Sequence, residues 1–193
     1  MSYELVLSNV TKHIELDQGE KDFFVSRLEE KRVAKKQLVL QEGSVCRHIN
    51  FVNSGALRAF HVDRSGKEST IMFGISDWWI TDMYCFVNQL PAMLNIEAIE
   101  ESVVFQLHKN DLEDIFVAMP KFERFFRIIF QNAYIREQLR VIQDLSMTAE
   151  ERYDRFLSKY PQIVKHITLK QIASYLGITP EFLSAIRAAK ARR

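Results

Sequence analysis

The stretch from Thr168 to Arg193 restricts the fold most, because its small and apolar residues fall where two short helices joined by a tight turn need them. Ile172, Ala173 and Leu176 form one apolar face of a first helix predicted over about Leu169 to Leu176. Gly177 ends it, since glycine takes the left-handed conformation of a sharp turn without steric cost. Thr179 is a good N-cap, Pro180 suits the first helical position, and Glu181 suits the positive end of the helix dipole. Leu183 and Ile186 of this second helix face inward. Ser184, Arg187 and Lys190 point outward at helical spacing, as a helix lying in the major groove of DNA requires.

An ordinary helical hairpin closing a core has similar spacing, and charge weighs against it. Beyond Val164 the chain carries Lys165, Lys170, Arg187, Lys190, Arg192 and Arg193 against the single acid Glu181. The net charge of the whole is +1, so the basic end is offset by an acidic remainder. That asymmetry is the electrostatic footprint of a module docking on phosphates, although a solvated basic tail would look the same.

With 193 residues and 47% hydrophobic composition, the chain can bury one good core and a small second one. No run has the length of a membrane span, and the charged start MSYELVLSNVTKHIEL is unlike a secretory signal, so no membrane partner and a cytoplasmic location are expected. Cys46 and Cys85 are far apart and read as buried structural cysteines. His13, His48, His61, His108 and His166 lack the paired spacing of metal ligands, so neither a metal nor a cofactor is expected. No nucleophile elbow, phosphate loop, dinucleotide fingerprint or zinc motif occurs, which argues against an enzyme.

Three regions follow from the periodicity. Residues 1 to about 30 read as helical, with Leu16, Phe23, Phe24 and Leu28 as an apolar stripe. From Lys35 to Asn110, short runs rich in Val, Ile, Phe and Thr alternate with turns marked by Gly43, Gly55 and Gly66, the pattern of an antiparallel sandwich or barrel. Arg64, Ser65 and Gly66 predict a hairpin between strands at Ala59 and Thr70. From Asp111 onward the chain reads as helical, broken at Pro120 and Pro161. Within it Phe125, Ile128, Asn132, Ile135, Leu139 and Ile142 alternate by three and four, as in a coiled-coil seam. A second stripe, Phe122, Phe126, Ile129 and Ala133, is offset to cover the β region. Asn132 in the seam would fix register and two-strandedness, which predicts a homodimer; packing of both stripes inside one chain is the alternative.

The order of β domain, long helix and basic helix-turn-helix resembles the family of the catabolite activator protein and the fumarate and nitrate reduction regulator (CRP/FNR). The run LVLQEGSVCRHINFVNSGALR, Leu38 to Arg58, is similar to that family's cyclic-nucleotide-binding fold, with Gly43 at a first tight turn and Gly55 after Phe51-Val52. The resemblance covers nearly the whole chain. It implies an α+β fold: an N-terminal β-roll (a double-stranded β-helix or jelly roll) with flanking helices over 1–119, a dimerisation helix over 120–146 and a winged helix-turn-helix over 147–193. It also implies a homodimeric transcription regulator whose two recognition helices read double-stranded DNA at half-sites one helical turn apart, roughly 34 Å.

Two departures qualify that expectation. Cyclic-nucleotide binders of the family hold the ribose with Gly-Glu and the cyclic phosphate with Arg-Ser or Arg-Thr, but here Ala92 and Met93 stand at the clamp. A buried phosphate without a guanidinium is costly, so the usual binding of cyclic AMP is not expected. Asp82 and Asn95, with the aromatic Trp79 and Tyr84, are the candidate pocket residues for some other small-molecule effector; a solvent-facing Asp82 and a pocket filled by aromatic side chains are the alternatives. An iron-sulfur sensor needs about four cysteines and this chain has two. On the recognition helix, the Arg, Glu and Arg of the best-known branch fall at Pro180, Glu181 and Ala185, so the operator should differ. Glu181 would accept from a cytosine amino group and Lys170 and Thr179 would touch phosphate. The rival expectation is an interaction module, controlled by ligand or partner, whose helix-turn-helix no longer reads DNA.

Overall fold

The computed structural model describes residues 2–192; Arg193, counted above in the basic end, lies outside them. Two short helices, α1 (Glu4–Thr11) and α2 (Gln18–Ser26), precede eight strands: β1 (Leu28–Val33), β2 (Leu38–Leu40), β3 (His48–Ser54), β4 (Ala56–Val62), β5 (Glu68–Ile75), β6 (Trp78–Ile80), β7 (Asn95–Ala98) and β8 (Ser102–His108). Helix α3 (Met83–Asn88) interrupts them between β6 and β7. Four helices follow the strands, α4 (Lys109–Ala118), α5 (Lys121–Ser146), α6 (Ala149–Lys159) and α7 (Leu169–Leu176), and α8 (Pro180–Ala191) ends the described chain.

The strands form two four-stranded antiparallel sheets, ordered β1-β8-β3-β6 and β2-β7-β4-β5, which face each other as a β-roll. Strand alternation sends successive residues to opposite faces. Phe51 and Phe105, paired across β3 and β8, join a core under the helical layer, whereas their neighbours Val52 and Val104 enter the interior of the roll with Leu57, Ile80 and Ile96. The outer core is closed by Val6 and Val10 of α1, Phe24 of α2, Leu112 and Ile115 of α4, and Phe122, Phe125 and Phe126 at the start of α5. Asn9 ties α1 to the roll, donating to Asp77 at 2.8 Å and accepting from Trp79 Nε1 at 3.0 Å. In the β4–β5 hairpin, Asp63 accepts from Ser65 and Lys67, and the Ser65 hydroxyl above all holds its carboxyl below the usual carboxylate range.

The structure corrects the sequence reading at three boundaries. Leu28 begins β1 rather than extending the N-terminal helix, because pairing with Leu107 of β8 outweighs local periodicity. The helical region also breaks at Met147, where Thr148 and Glu151 form a reciprocal capping box that starts α6. Among the described residues no strand follows β8, so the expected wing has no strand there; a short 3₁₀ turn, Ile163–Lys165, joins α6 to α7. No helix of the described residues is long and apolar enough to cross a membrane.

Candidate nucleic-acid interface and effector cavity

The C-terminal unit is built by its caps. Thr168 and Gln171 cap α7 reciprocally, Gly177 ends it at φ +68°, and the Thr179 hydroxyl accepts from Phe182 N to start α8 behind Pro180. Ile172, Ala173, Leu176, Leu183 and Ile186 are buried together. Lys170, Thr179, Glu181, Ser184 and Arg187 are exposed; the Ser184 hydroxyl donates back to Pro180 O at 2.8 Å. Lys190 is a correction. It is half-buried and ion-paired to Asp154 of α6, with Glu150 at 3.9 Å, because one turn beyond Ile186 it lies on the side of α8 that packs on α6. Phe182, not among the residues expected from the sequence, is a large apolar side chain left 53% exposed in the first turn of α8. Its signal was available: an aromatic residue off the Leu183–Ile186 face.

This unit is docked on the β-roll. Ser174 Oγ of α7 accepts from Thr70 N at 2.9 Å and donates to Glu68 O at 2.8 Å. Arg140 of α5 donates to the carbonyls of Ile71, Thr70 and Tyr175 and stacks over the Tyr175 ring, so one guanidinium joins long helix, roll and α7. Phe73, Phe156, Tyr160 and Tyr175 fill the junction, and burial pushes the Tyr175 hydroxyl above the ordinary tyrosine range. Beneath it Arg58, unassigned by sequence, is 5% exposed, bonded to Glu97 at 2.6 Å and Glu68 at 2.8 Å, and stacked on Phe60. It braces β4 against both neighbours, including the strand on which α7 sits. A charged residue in the run ALRAF was the only hint.

The four candidate pocket residues do not converge. Trp79 lines a cavity of about 350 Å³ between the roll and α5, with Met72, Ile80, Ile129, Phe130 and Tyr134. Asp82 is buried, not solvent-facing, and its oxygens accept from Cys85 N at 3.3 Å, Met93 N at 2.8 Å and Leu94 N at 3.1 Å. It caps α3 and pins the segment after it, so it is a structural anion rather than a free ligand group. Tyr84 is exposed on α3, outside that cavity, because the α3 face toward the core belongs to Cys85 and Phe86. Asn95 faces Glu42, accepting from its backbone N–H at 2.9 Å.

Of the seam residues, Phe125 is corrected outright. It is fully buried in the chain's own core against Phe122, Phe126 and Trp79, since the first turns of α5 lie under the roll. Ile128 is half-buried, and Asn132, Ile135, Leu139 and Ile142 are exposed. Among the described residues no cluster of His, Cys, Asp and Glu is arranged to hold a metal.

The architecture is that of a β-roll joined through a long helix to a C-terminal helix-turn-helix unit. Residues 30–118 match the family model of the cyclic nucleotide-binding domain. The regulatory protein HlyX of Actinobacillus pleuropneumoniae is 25% identical over 173 residues, covering 81% of this chain and 69% of its own. The anaerobic regulatory protein of Haemophilus influenzae is 22% identical over 185 residues, covering 89% and 70%. Among solved structures, FixK2 of Bradyrhizobium japonicum aligns with a TM-score of 0.71 at 18% identity, over 84% of this chain and 83% of that one. A crp/fnr-family transcriptional regulator from Eubacterium rectale aligns at 0.73 with 17% identity, over 92% and 85%. Over most of its length the chain is similar in sequence and fold to regulators of the CRP/FNR type.

Proposed function

We propose that this chain is a homodimeric, DNA-binding transcription regulator, with an effector unit over 1–119, a dimerisation helix over 120–146 and a DNA-reading unit over 147–193. The observation that carries the reading is the α8 surface. Leu183 and Ile186 are spent on the core while Glu181, Ser184 and Arg187 project together from a capped, rigid helix. Phe182 adds an apolar contact of the kind that recognises a thymine methyl, and Lys170 and Thr179 flank it for phosphate. Replacing Arg187 with Ala is expected to weaken operator binding about tenfold or more, as loss of a base contact does, or to lower the salt slope by about one if it touches phosphate. Unchanged affinity and slope in a mobility shift would remove Arg187 from the interface.

The effector unit does not take cyclic AMP in the usual way. At the tip where a cyclic phosphate would need donors, Ala92 N already donates to Ser44 O, and Met93 N and Leu94 N donate to Asp82. A phosphate brought there would meet a carboxylate instead of a guanidinium. The apolar cavity beside α5 has the size of a small-molecule site and suits a mostly apolar effector. Calorimetric titration with cyclic AMP is expected to give no binding at micromolar concentration; a micromolar dissociation constant would overturn this reading. An interaction module that no longer reads DNA is the second reading, supported by Lys190 being held by Asp154. Loss of all retarded DNA under nonspecific competitor would favour it.

A further inference from the structure

We infer that the cleft where α5, α6 and α7 meet is a binding site for the phosphoryl group of a small-molecule ligand. Five cations line it: Arg136 and Arg140 from α5, and Arg152, Arg155 and Lys159 from α6. Spacings of four on α5, and of three and four on α6, bring two basic stripes face to face. The acids nearby do not balance them. Asp144 is bonded to Arg152 at 2.9 Å and lies 3.9 Å from Arg140, and Glu137 lies 3.6 Å from Arg136 and 3.8 Å from Arg140. Arg155 has no ion pair or hydrogen bond among the described residues, and Lys159 has only the Tyr160 ring, at 5.3 Å.

A second observation is independent of the charge count. Arg152 Nε is buried and has no hydrogen-bond partner, the only such side-chain atom among the described residues. A buried guanidinium N–H without an acceptor is costly, and buried donors are as a rule satisfied. Converging cations raise that cost further, and an anion in the cleft relieves both. The cleft encloses about 30 Å³, room for a single ion-sized group rather than a whole nucleotide. A tetrahedral phosphoryl group matches it, since its oxygens accept from several guanidinium and ammonium donors at once. Because α5 and α7 share the cleft with α6, the bound group would tie the long helix to the DNA-reading unit.

The test is thermal unfolding of the full chain, without DNA, in inorganic phosphate against chloride at matched ionic strength. The Tm of the wild type is expected to rise by several degrees in phosphate over chloride. The double variant R155Q/K159Q, altered at two exposed positions, should match the wild type in chloride and lose the phosphate increment. Arg152→Lys, which keeps the charge but removes the Nε donor, should reduce the increment. An absent increment in the wild type, or an equal one in the double variant, overturns the proposal. So does a wild type indifferent to phosphate whose DNA affinity nevertheless falls in R155Q/K159Q, which would assign these cations to the DNA backbone. The outcome is independent of whether α8 reads DNA.

Discussion

Replacing Leu139 and Ile142 together with Glu is expected to turn the dimer into a monomer and to weaken DNA binding in parallel. Ile135, Leu139 and Ile142 are 51%, 41% and 52% exposed, and Tyr134 and Leu145 beside them are 68% and 84% exposed. At 3.6 residues per turn these lie across α5 from Phe122, Phe126 and Ile129, which pack on the chain's own core, so the helix has one apolar face inward and one uncovered. Burying a large aliphatic side chain contributes about 1.5–3 kcal/mol in full, and about half that from a half-exposed start. Across a two-fold seam the variant loses four such side chains and brings four carboxylates together. The dimer dissociation constant should rise at least about a thousandfold, the equivalent of about 4 kcal/mol. Sedimentation velocity at micromolar concentration checks this. A variant that sediments as the wild type does would show that α5 is not the interface. Phe125 does not belong in that test, since its removal would open the core instead.

The second large effect is on stability, at the turn between β3 and β4. Gly55 has φ +86°, and a Cβ there would lie 2.3 Å from Ser102 Oγ, 2.7 Å from Glu101 O and 2.8 Å from Ser102 Cα. Two of these are backbone atoms of β8 and its turn, and Ser102 Oγ accepts from Ala56 N, so no side chain can swing aside. Gly55→Ala should cost about 1 kcal/mol for the left-handed conformation and about 1–3 kcal/mol for the overlap. Gly43→Ala and Gly66→Ala are the internal controls. Both also have positive φ, but nothing lies within 4 Å of their Cβ positions, so only the conformational cost applies. Denaturant unfolding should rank Gly55→Ala well below the other two; equal midpoints would mean the turn yields freely.

The contrast among these glycines marks how much of the fold was legible. Gly43, Gly55 and Gly66 announced turns by composition alone, but that Gly55 meets β8 depends on a pairing distant in sequence. The helix-turn-helix was legible because its determinants are local: Thr168, Gly177, Thr179 and Pro180 act within a few residues of themselves. What failed was long-range. Phe125 satisfied the seam spacing, yet its burial is decided by residues distant in sequence, His13 and Trp79, whose rings pack against it. Lys190 continued the outward stripe of α8, yet Asp154 on another helix claims it. Asp82 was noticed as a polar residue in an aromatic stretch, while its role rests on the N–H groups of Met93 and Leu94 turning back toward it. Arg58 shows the same limit from the other side: its two carboxylates come from β5 and β7, and no local pattern pairs them.

The account rests on two α8 helices, related by the α5 seam, reading DNA as a pair. Selection of bound sequences from a randomised duplex pool tests it most directly. The expected product is a two-fold-symmetric site with half-site centres about one helical turn apart, enriched over nonspecific DNA at physiological salt and lost with the Leu139, Ile142 double variant. An unenriched pool, or a single asymmetric half-site bound equally by wild type and double variant, would contradict it.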